Sequence, residues 1–269
     1  MQFSLSELNQ TWQKYGLTEA SLLFNGQKTP FKAIIREGKL VTIAGRSYYL
    51  LPNEYVKEIA DKAAELAGLK PFKGGATRNK KLIQEGNVFY NREKTVMHAW
   101  YAPDATIDVE GEKMHIGCNV INSIDGSTAF GCSAFTFRHI CSNGVIIGYR
   151  QIAAFRHIHV QSLSKVIENL KNQMLLIMDE ANAIIEKYRL LAQEMADEEL
   201  INRIKKSRIP KKVLPEYLQT PEEEAEGYIP AVTQWQLYND ITEAIWHNSS
   251  SDLRTKQFQF QTLHAIMKV

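Results

Sequence analysis

The first 160 residues alternate short apolar stretches with turn residues, a pattern that predicts β-strands. Asn25-Gly26 and Glu37-Gly38 each separate two such stretches and are typical of hairpin turns, and a further hairpin is predicted around Glu110-Gly111. The predicted strands are 20–24, 31–36, 39–43, 47–51, 88–91, 95–101, 114–121, 128–140, 145–147 and 151–160. Because short turns join most of them, we expect a mostly antiparallel sheet.

Two helices are predicted within this sheet-rich part. Ser4 followed by Glu7 matches a capping box, which predicts an opening helix that ends at Gly16. The second helix begins after Pro52, because its apolar residues recur at helical spacing until Gly68 stops it.

The hydrophobic period changes at Val160. From there apolar residues recur at alternating spacings of three and four over five heptads, which predicts one long helix. Its wide apolar face fits packing against the protein's own sheet or against another subunit, and the sequence leaves both open. Further helices are predicted from Thr233 and from Ser251. We therefore expect an α+β protein with an antiparallel-sheet domain at 1–160 and a helical region at 161–269.

The composition is that of an ordinary folded protein, with 269 residues of which 44% are hydrophobic and 23% charged. No apolar run reaches the roughly 20 residues that a membrane helix needs, and the first residues lack the regions of a signal peptide. Three cysteines crowded into one segment fit reduced thiols better than a disulfide framework. These features predict a cytoplasmic protein with no membrane partner.

The net charge of +2 is the sum of two unlike halves. Residues 1–160 contain 19 Lys and Arg against 14 Asp and Glu, whereas residues 161–269 contain 13 against 16. The positive charge is concentrated in residues 70–94, where the only carboxylates are Glu85 and Glu93. The cationic residues of this segment are Lys70, Lys73, Arg78, Lys80, Lys81, Arg92 and Lys94.

This basic segment predicts a nucleic-acid site. Cationic side chains bind phosphates and aromatic rings stack on unpaired bases, and the segment contains both. The residues expected to bind phosphate are Lys70, Lys73, Arg78, Lys80 and Lys81, with Arg92, Arg138 and Arg156 as secondary contacts. The rings expected to stack on bases are those of Phe72 and Tyr90. The alternative is a solvated loop whose lysines have no specific partner.

Motifs of common enzymes are absent from the sequence. It contains no phosphate loop, no GxGxxG after a strand, no HExxH and no GxSxG, so no cofactor is predicted. Four carboxylates would suit a metal-dependent nuclease, although they also fit a solvated hairpin tip; they are Asp104, Asp108, Glu110 and Glu112. A second group lacks any CxxC pair, so no metal site is predicted from it; its members are Cys132, His139, Cys141, His157 and His159.

Two motifs resemble those of a known family. Residues 122–126 read Asn-Ser-Ile-Asp-Gly, and residues 138–144 read Arg-His-Ile-Cys-Ser-Asn-Gly, with Arg156-His157 further on. On these residues the chain resembles the phage/plasmid-like family known as domain of unknown function 932, over about residues 20–160. The resemblance implies a protein of a virus or mobile element. The turn-forming residues Asn122, Asp125 and Asn143 fit a structural role.

Phage genomes commonly encode ATP-independent single-strand annealing proteins, to which the chain is similar in outline. Those proteins combine an antiparallel sheet, backing helices, a basic groove and ring or filament assembly. The analogy implies a homo-oligomeric protein that binds single-stranded DNA, or RNA, and anneals or recombines strands. The alternatives are the metal-dependent nuclease and a structural or partner-binding oligomer that binds no nucleic acid.

Overall fold

A computed structural model of the protein describes residues 3–72, 77–78, 83–85, 88–91, 94–138, 145–154, 163–219, 231–248 and 250–268. Within these residues the chain forms two antiparallel sheets, one helix between them, and further helices toward the C-terminus. The predicted α+β class is therefore confirmed.

The first sheet contains four strands, each antiparallel to the next in chain order. They are β1 (Phe3–Asn9), β2 (Leu17–Phe24), β3 (Gln27–Arg36) and β4 (Lys39–Gly45). Two predicted hairpin turns are confirmed, since φ is 47° and 76° at Asn25 and Gly26 and 49° and 77° at Glu37 and Gly38. Positive φ at both central residues is the geometry of a type I′ turn, whose twist matches that of the strands.

The predicted opening helix is wrong, because residues 3–9 form β1. Leu5 of this strand pairs with Leu22 of β2. The capping pattern of Ser4 and Glu7 is a local signal, and the pairing of β1 along the edge of the sheet overrides it.

The predicted strand at 47–51 is also not formed. This segment connects β4 to the first helix, and Leu50 and Leu51 are buried in it with 1% of their surface exposed. An apolar run bounded by turn residues predicts that the segment is buried, but it does not by itself distinguish a strand from an irregular connection. Here the buried segment is an irregular connection.

The second sheet follows α1 (Asn53–Leu66) and has eight strands. They are β5 (Lys70–Pro71), β6 (Thr77–Arg78), β7 (Ile83–Glu85), β8 (Val88–Asn91), β9 (Thr95–Val109), β10 (Glu112–Ser123), β11 (Gly131–Arg138) and β12 (Val145–Ala154). Their order is β12-β11-β10-β9-β8-β7-β6, with β5 also paired with β9. The hairpin predicted at Glu110-Gly111 joins β9 to β10 and has positive φ at both residues.

The C-terminal part is helical, and its long helix is confirmed. The helices are α2 (Leu163–Gln193), α3 (Glu198–Lys205), α4 (Glu216–Gln219), α5 (Gln234–His247) and α6 (Leu253–Met267). Leu170, Met174 and Tyr188 of α2 are fully buried, and α2 contacts α1, α5 and β9 to β12. These residues of α2 pack within their own chain, whereas Leu176 and Leu190 of the same helix are 51% and 58% exposed.

Three hydrophobic clusters hold these elements together. One joins α1 to β9, β10, β11 and the first half of α2 around Trp100. A larger one combines Met97 and Phe135 of the sheet with Leu237 and Ile241 of α5, so residues from both sides of position 160 share a core. The smallest attaches the first sheet to the second; it consists of Leu17, Ile34, Leu50 and Ile124.

Candidate nucleic-acid interface

The basic segment 70–94, called the basic ribbon below, provides the last strands of the second sheet. β5 pairs with β9 at Tyr101 and Trp100, while β6, β7 and β8 form an antiparallel meander that ends against the first residues of β9. β6 ends the strand order, so among the described residues its outer edge has no strand partner. Arg78 is therefore the cation of the segment that the structure places on this edge strand.

The register relates two of the predicted contact residues to the rest of the sheet. Arg78 pairs with Ile83, Ile83 with Tyr90, and Tyr90 with Val96 of β9. These four positions therefore form one row across the ribbon. Lys70 lies on β5 and is exposed. Five predicted contact residues lie outside the described residues; they are Lys73, Lys80, Lys81, Arg92 and Arg156.

Phe72 does not lie where a stacking ring would be needed. Its side chain is only 1% exposed, and its ring packs edge-on against Phe135 with 6.0 Å between the ring centroids. The backbone amide of Phe72 also donates to the carbonyl of Ala99. Phe72 is therefore a core residue that anchors the start of the ribbon, and the expectation that it stacks on a base is corrected.

Arg138 is set apart from the ribbon by the register. As the last residue of β11, it pairs with Met114, which pairs in turn with Ile107 toward the far end of β9. The ribbon pairs with the beginning of that strand, β8 with residues 95–98 and β5 with Trp100 and Tyr101. Arg138 therefore belongs to a different region of the sheet than the other predicted contacts.

Lys94 ends the ribbon at a junction of three elements. Its carbonyl oxygen accepts hydrogen bonds from the backbone amide of Ile124 and from Nδ2 of Asn53. Its ammonium group donates to the carbonyl of Val41 at 3.3 Å and lies 3.9 Å from Asp125. Lys94 is thus a structural residue that connects the ribbon to both sheets and to α1.

The Asn-Ser-x-Asp-Gly motif forms this junction, as its predicted structural role requires. Asn122 is 3% exposed and its Nδ2 donates to the carbonyl of Leu51 and to Oδ1 of Asn53, each at 2.9 Å. Oδ1 of Asp125 accepts from the backbone amide of Ser127 at 3.0 Å. Asn143 lies outside the described residues.

A cavity of about 370 Å³, called the His98 cavity below, opens beside the beginning of β9. It lies between the β3–β4 turn, the first turns of α1 and β9. Its lining residues are Arg36, Glu37, Asn53, Glu54, Lys57, Val96 and His98. This volume is in the range of small-molecule sites. The register pairs Val96 with Tyr90 and His98 with Val88, so the cavity adjoins β8, the last strand of the ribbon.

His98 is the unusual residue of this cavity. It is 3% exposed, and among the described residues neither of its ring nitrogens has a hydrogen-bond partner. Burial and the charge of Lys57 lower the pKa of His98 to about 4, against a smaller opposing effect of Asp61. The imidazole is therefore neutral at pH 7, with one donor and one acceptor available. Nothing in the sequence analysis pointed to His98.

A second cationic surface lies in the groove between α3 and α6. The groove has a volume of about 1210 Å³, and its lining includes Arg203, Lys206 and Arg208 together with Phe258, whose surface is 44% exposed. Glu198 and Glu199 line the same groove, so its charge is mixed. The groove offers a ring and cations in one place, but with less excess of positive charge than the ribbon.

The carboxylates considered for a nuclease occupy the β9–β10 hairpin. Oδ1 of Asp108 accepts from the backbone amide of Gly111 at 2.7 Å, which is a turn-stabilising bond. Oε2 of Glu112 accepts from Nδ2 of Asn239 at 3.4 Å. In the described part of the chain, no three His, Cys, Asp or Glu side chains are grouped so as to hold a metal ion.

Two of the cysteines are neighbours in the core. Cys118 on β10 and Cys132 on β11 are buried and free. A hydrogen bond with Cys132, together with burial, raises the pKa of the Cys118 thiol, so this thiol is protonated and unreactive at neutral pH. Cys141, His139, His157 and His159 lie outside the described residues.

Comparison with known proteins identifies the family. The model of a family described as a domain of unknown function (DUF932) matches residues 102–267. The chain belongs to this family. The match begins and ends later than the expected span of 20–160, and it includes β10 to β12 and the helices α2 to α6. No curated protein and no solved structure shows a significant match to the chain.

The DUF932 match separates the molecule into two parts by sequence. The turn between β9 and β10, the Asn-Ser-x-Asp-Gly motif and the helical layer lie within it. The first sheet, α1, the ribbon and residues 95–101 of β9 precede it. The ribbon is thus a feature of this chain outside the matched domain. Among the described residues, no helix is both long and apolar enough to span a bilayer.

Proposed function

We propose that the protein binds single-stranded DNA through the basic ribbon and promotes annealing of complementary strands without ATP. The observation that carries the proposal is the concentration of charge: seven cations and two carboxylates occur in residues 70–94. Arg78 of that segment lies on β6, whose outer edge has no strand partner among the described residues. Tyr90 lies in the same row of the ribbon as Arg78, with Ile83 of β7 between them, so one bound strand that crosses the ribbon could meet both residues.

The physical basis is counterion release. Each lysine or arginine that neutralises a phosphate of a single strand releases condensed cations, and log K falls with log salt by about 0.7 per contact. Stacking on tyrosine adds affinity for any base, since every base presents a π-face. The ribbon is therefore expected to bind single strands with little sequence preference and with a steep dependence on salt.

The test is fluorescence anisotropy of a labelled oligonucleotide at several salt concentrations. The variant Lys73/Arg78/Lys80/Lys81→Ala is compared with Lys39/Lys62/Lys113/Lys211→Ala, which removes the same charge at exposed positions outside the ribbon. We expect the first variant to lose affinity and its salt slope to decrease by up to about 3, and the second to resemble the wild type. Equal losses of affinity in both variants would mean that binding depends on the net charge of the protein and not on the position of the ribbon.

The nuclease alternative is distinguished in the same samples. Incubation with Mg²⁺ or Mn²⁺ leaves the labelled strand intact if the ribbon acts only by binding. Cleavage that disappears in Asp108→Ala would contradict the proposal and favour the nuclease. The bond from Gly111 to Asp108 already gives that carboxylate a role in the turn.

One observation favours the other alternative function, that of an oligomer that binds a protein partner. The first sheet exposes large apolar side chains that are 47% to 61% accessible; they are Leu5, Leu8, Phe31, Leu40 and Ile43. Apolar side chains grouped on one exposed sheet are typical of a contact surface. Light scattering of the wild type and of Phe31→Ser tests this: a larger particle that dissociates in the variant would assign the first sheet to assembly, with or without DNA.

A further inference from the structure

The His98 cavity contains polar groups whose hydrogen-bonding capacity is not used. Both ring nitrogens of His98 and Oε2 of Glu54 are buried and have no partner among the described residues. Buried polar groups in folded proteins are nearly always paired, because an unpaired one loses its hydration without compensation. Three such atoms around one cavity therefore point to a partner that is not part of the chain.

The neighbouring polar groups are already occupied. Arg36 donates to Oε1 of Glu54, and Lys57 forms an ion pair with Asp61. Asn53 donates to the carbonyl of Lys94 and accepts from Asn122. Among the described lining residues, the buried polar atoms without a partner are thus those of an imidazole, which offers one donor and one acceptor, and a carboxylate oxygen, which requires a donor.

The charge of the lining argues against an anion as the occupant. Arg36 and Lys57 are matched by Glu37 and Glu54, so the four charged lining residues sum to zero. Both cations are also engaged in ion pairs. A phosphate or carboxylate would meet unpaired Glu54 Oε2 without a free cation to offset the repulsion. An uncharged ligand with donors next to acceptors fits this lining.

The apolar part of the lining is the side chain of Val96. The ring of Trp100, a core residue that is not among the lining residues, lies 6.1 Å from the ring of His98 and packs against it. Nε1 of Trp100 donates to Oδ1 of Asp61, which fixes the indole. A flat heterocycle fits this lining, because one of its faces can contact Val96 while its edge carries donors next to acceptors.

We propose that the His98 cavity binds a nucleobase, held at its edge by the imidazole of His98 and by Oε2 of Glu54. Its position supports a base that belongs to a bound strand, since His98 and Val96 pair with Val88 and Tyr90 of the ribbon. In this form the inference rests on the proposed function, because the ribbon supplies the strand. The base pocket itself requires no phosphate contact.

Free nucleosides test the pocket separately from the ribbon, because they carry no phosphate. The protein labelled with ¹⁵N at histidine is titrated with deoxyadenosine, deoxycytidine, deoxyguanosine and thymidine, and with deoxyribose as the control. We expect a saturable shift of the His98 ring nitrogens with at least one nucleoside and none with deoxyribose. The other six histidines of the chain are internal controls.

Two variants identify the groups that bind. His98→Leu removes both ring nitrogens. Glu54→Gln removes the negative charge and replaces one carboxylate oxygen by an amide NH2 group, on a side chain that is 42% exposed. Each is expected to weaken nucleoside binding at least tenfold, measured by calorimetry on samples whose fold is checked by circular dichroism. If His98→Leu fails to fold, the wild-type titration and Glu54→Gln still decide the question.

The outcomes separate this inference from the proposed function. No shift of His98 with any nucleoside, or an affinity unchanged in Glu54→Gln, overturns the base pocket even if oligonucleotides bind in a salt-dependent way. Nucleoside binding that is lost in Glu54→Gln supports the pocket even if the ribbon variant binds oligonucleotides like the wild type, a result that would refute only the proposed function.

Discussion

Nδ2 of Asn122 donates a hydrogen bond to Oδ1 of Asn53 at 2.9 Å, and this bond joins the end of β10 to the first residue of α1. The same amide donates to the carbonyl of Leu51. Both bonds are buried, and Asn53 in turn holds Lys94 at the end of the ribbon. The motif residue thus fixes the position of the ribbon relative to α1 and the His98 cavity.

We predict that Asn122→Ala destabilises the protein by about 2 to 4 kcal/mol, because two buried acceptors lose their donor. The free energy of unfolding in urea measures this. Asn202→Ala is the matched control, since Asn202 is exposed on α3 and its loss should change stability by no more than about 0.5 kcal/mol. Similar values for the two variants would refute the structural role of the motif.

Gly117 provides a steric prediction in the middle of β10. A Cβ at this position would lie 2.5 Å from Cζ of Phe135 and 2.6 Å from the carbonyl oxygen of Trp100. Moving the backbone oxygen would distort the pairing of β9 with β10. Gly117→Ala should therefore lower the free energy of unfolding by about 1 to 3 kcal/mol. Gly45→Ala is the control, because nothing lies within 4 Å of its Cβ position. A neutral Gly117→Ala would show that Phe135 does not pack as described.

His98 gives a pH dependence with a defined sign. Its pKa is about 4 in the folded protein and 6.5 in the unfolded chain, so the unfolded state binds a proton first as the pH falls. Its contribution to stability is intact above pH 6.5 and is lost between pH 6.5 and 4. From pH 7 to pH 5 the loss is about 2 kcal/mol.

The comparison with His98→Leu isolates this contribution, because all other titrating groups are shared, including Lys57 and Asp61 beside the ring. We expect the wild type to lose about 2 kcal/mol more than the variant between pH 7 and pH 5 in urea unfolding experiments. Parallel pH profiles would mean that His98 is solvated in the folded protein.

Several features of the fold follow from local sequence. The Asn25-Gly26 and Glu37-Gly38 steps predict their hairpins because few residues adopt positive φ cheaply. The heptad pattern predicts α2 because a helical period over that length has no strand equivalent. Ser4 and Glu7 mislead for the opposite reason: a capping box is a short signal that tertiary pairing easily overrides.

The candidate site was less accessible to sequence reasoning. The cluster of cations in residues 70–94 is visible in the sequence, but an aromatic residue beside lysines does not reveal whether it faces solvent, and Phe72 faces the core. His98 lies in a strand with alternating Val96 and Trp100, which predicts burial. That the ring nitrogens of His98 have no partner among the described residues depends on how α1, some 40 positions earlier in the chain, packs beside this strand. A local sequence pattern does not predict such a contact.

The central claim is that the basic ribbon binds single-stranded DNA, and the salt dependence of that binding tests it most directly. Anisotropy of a labelled oligonucleotide should give a linear fall of log K with log salt in the wild type, and a slope smaller by up to about 3 in Lys73/Arg78/Lys80/Lys81→Ala. The exposed control Lys39/Lys62/Lys113/Lys211→Ala should keep the wild-type slope. Equal and salt-insensitive signals in all three proteins would contradict the account.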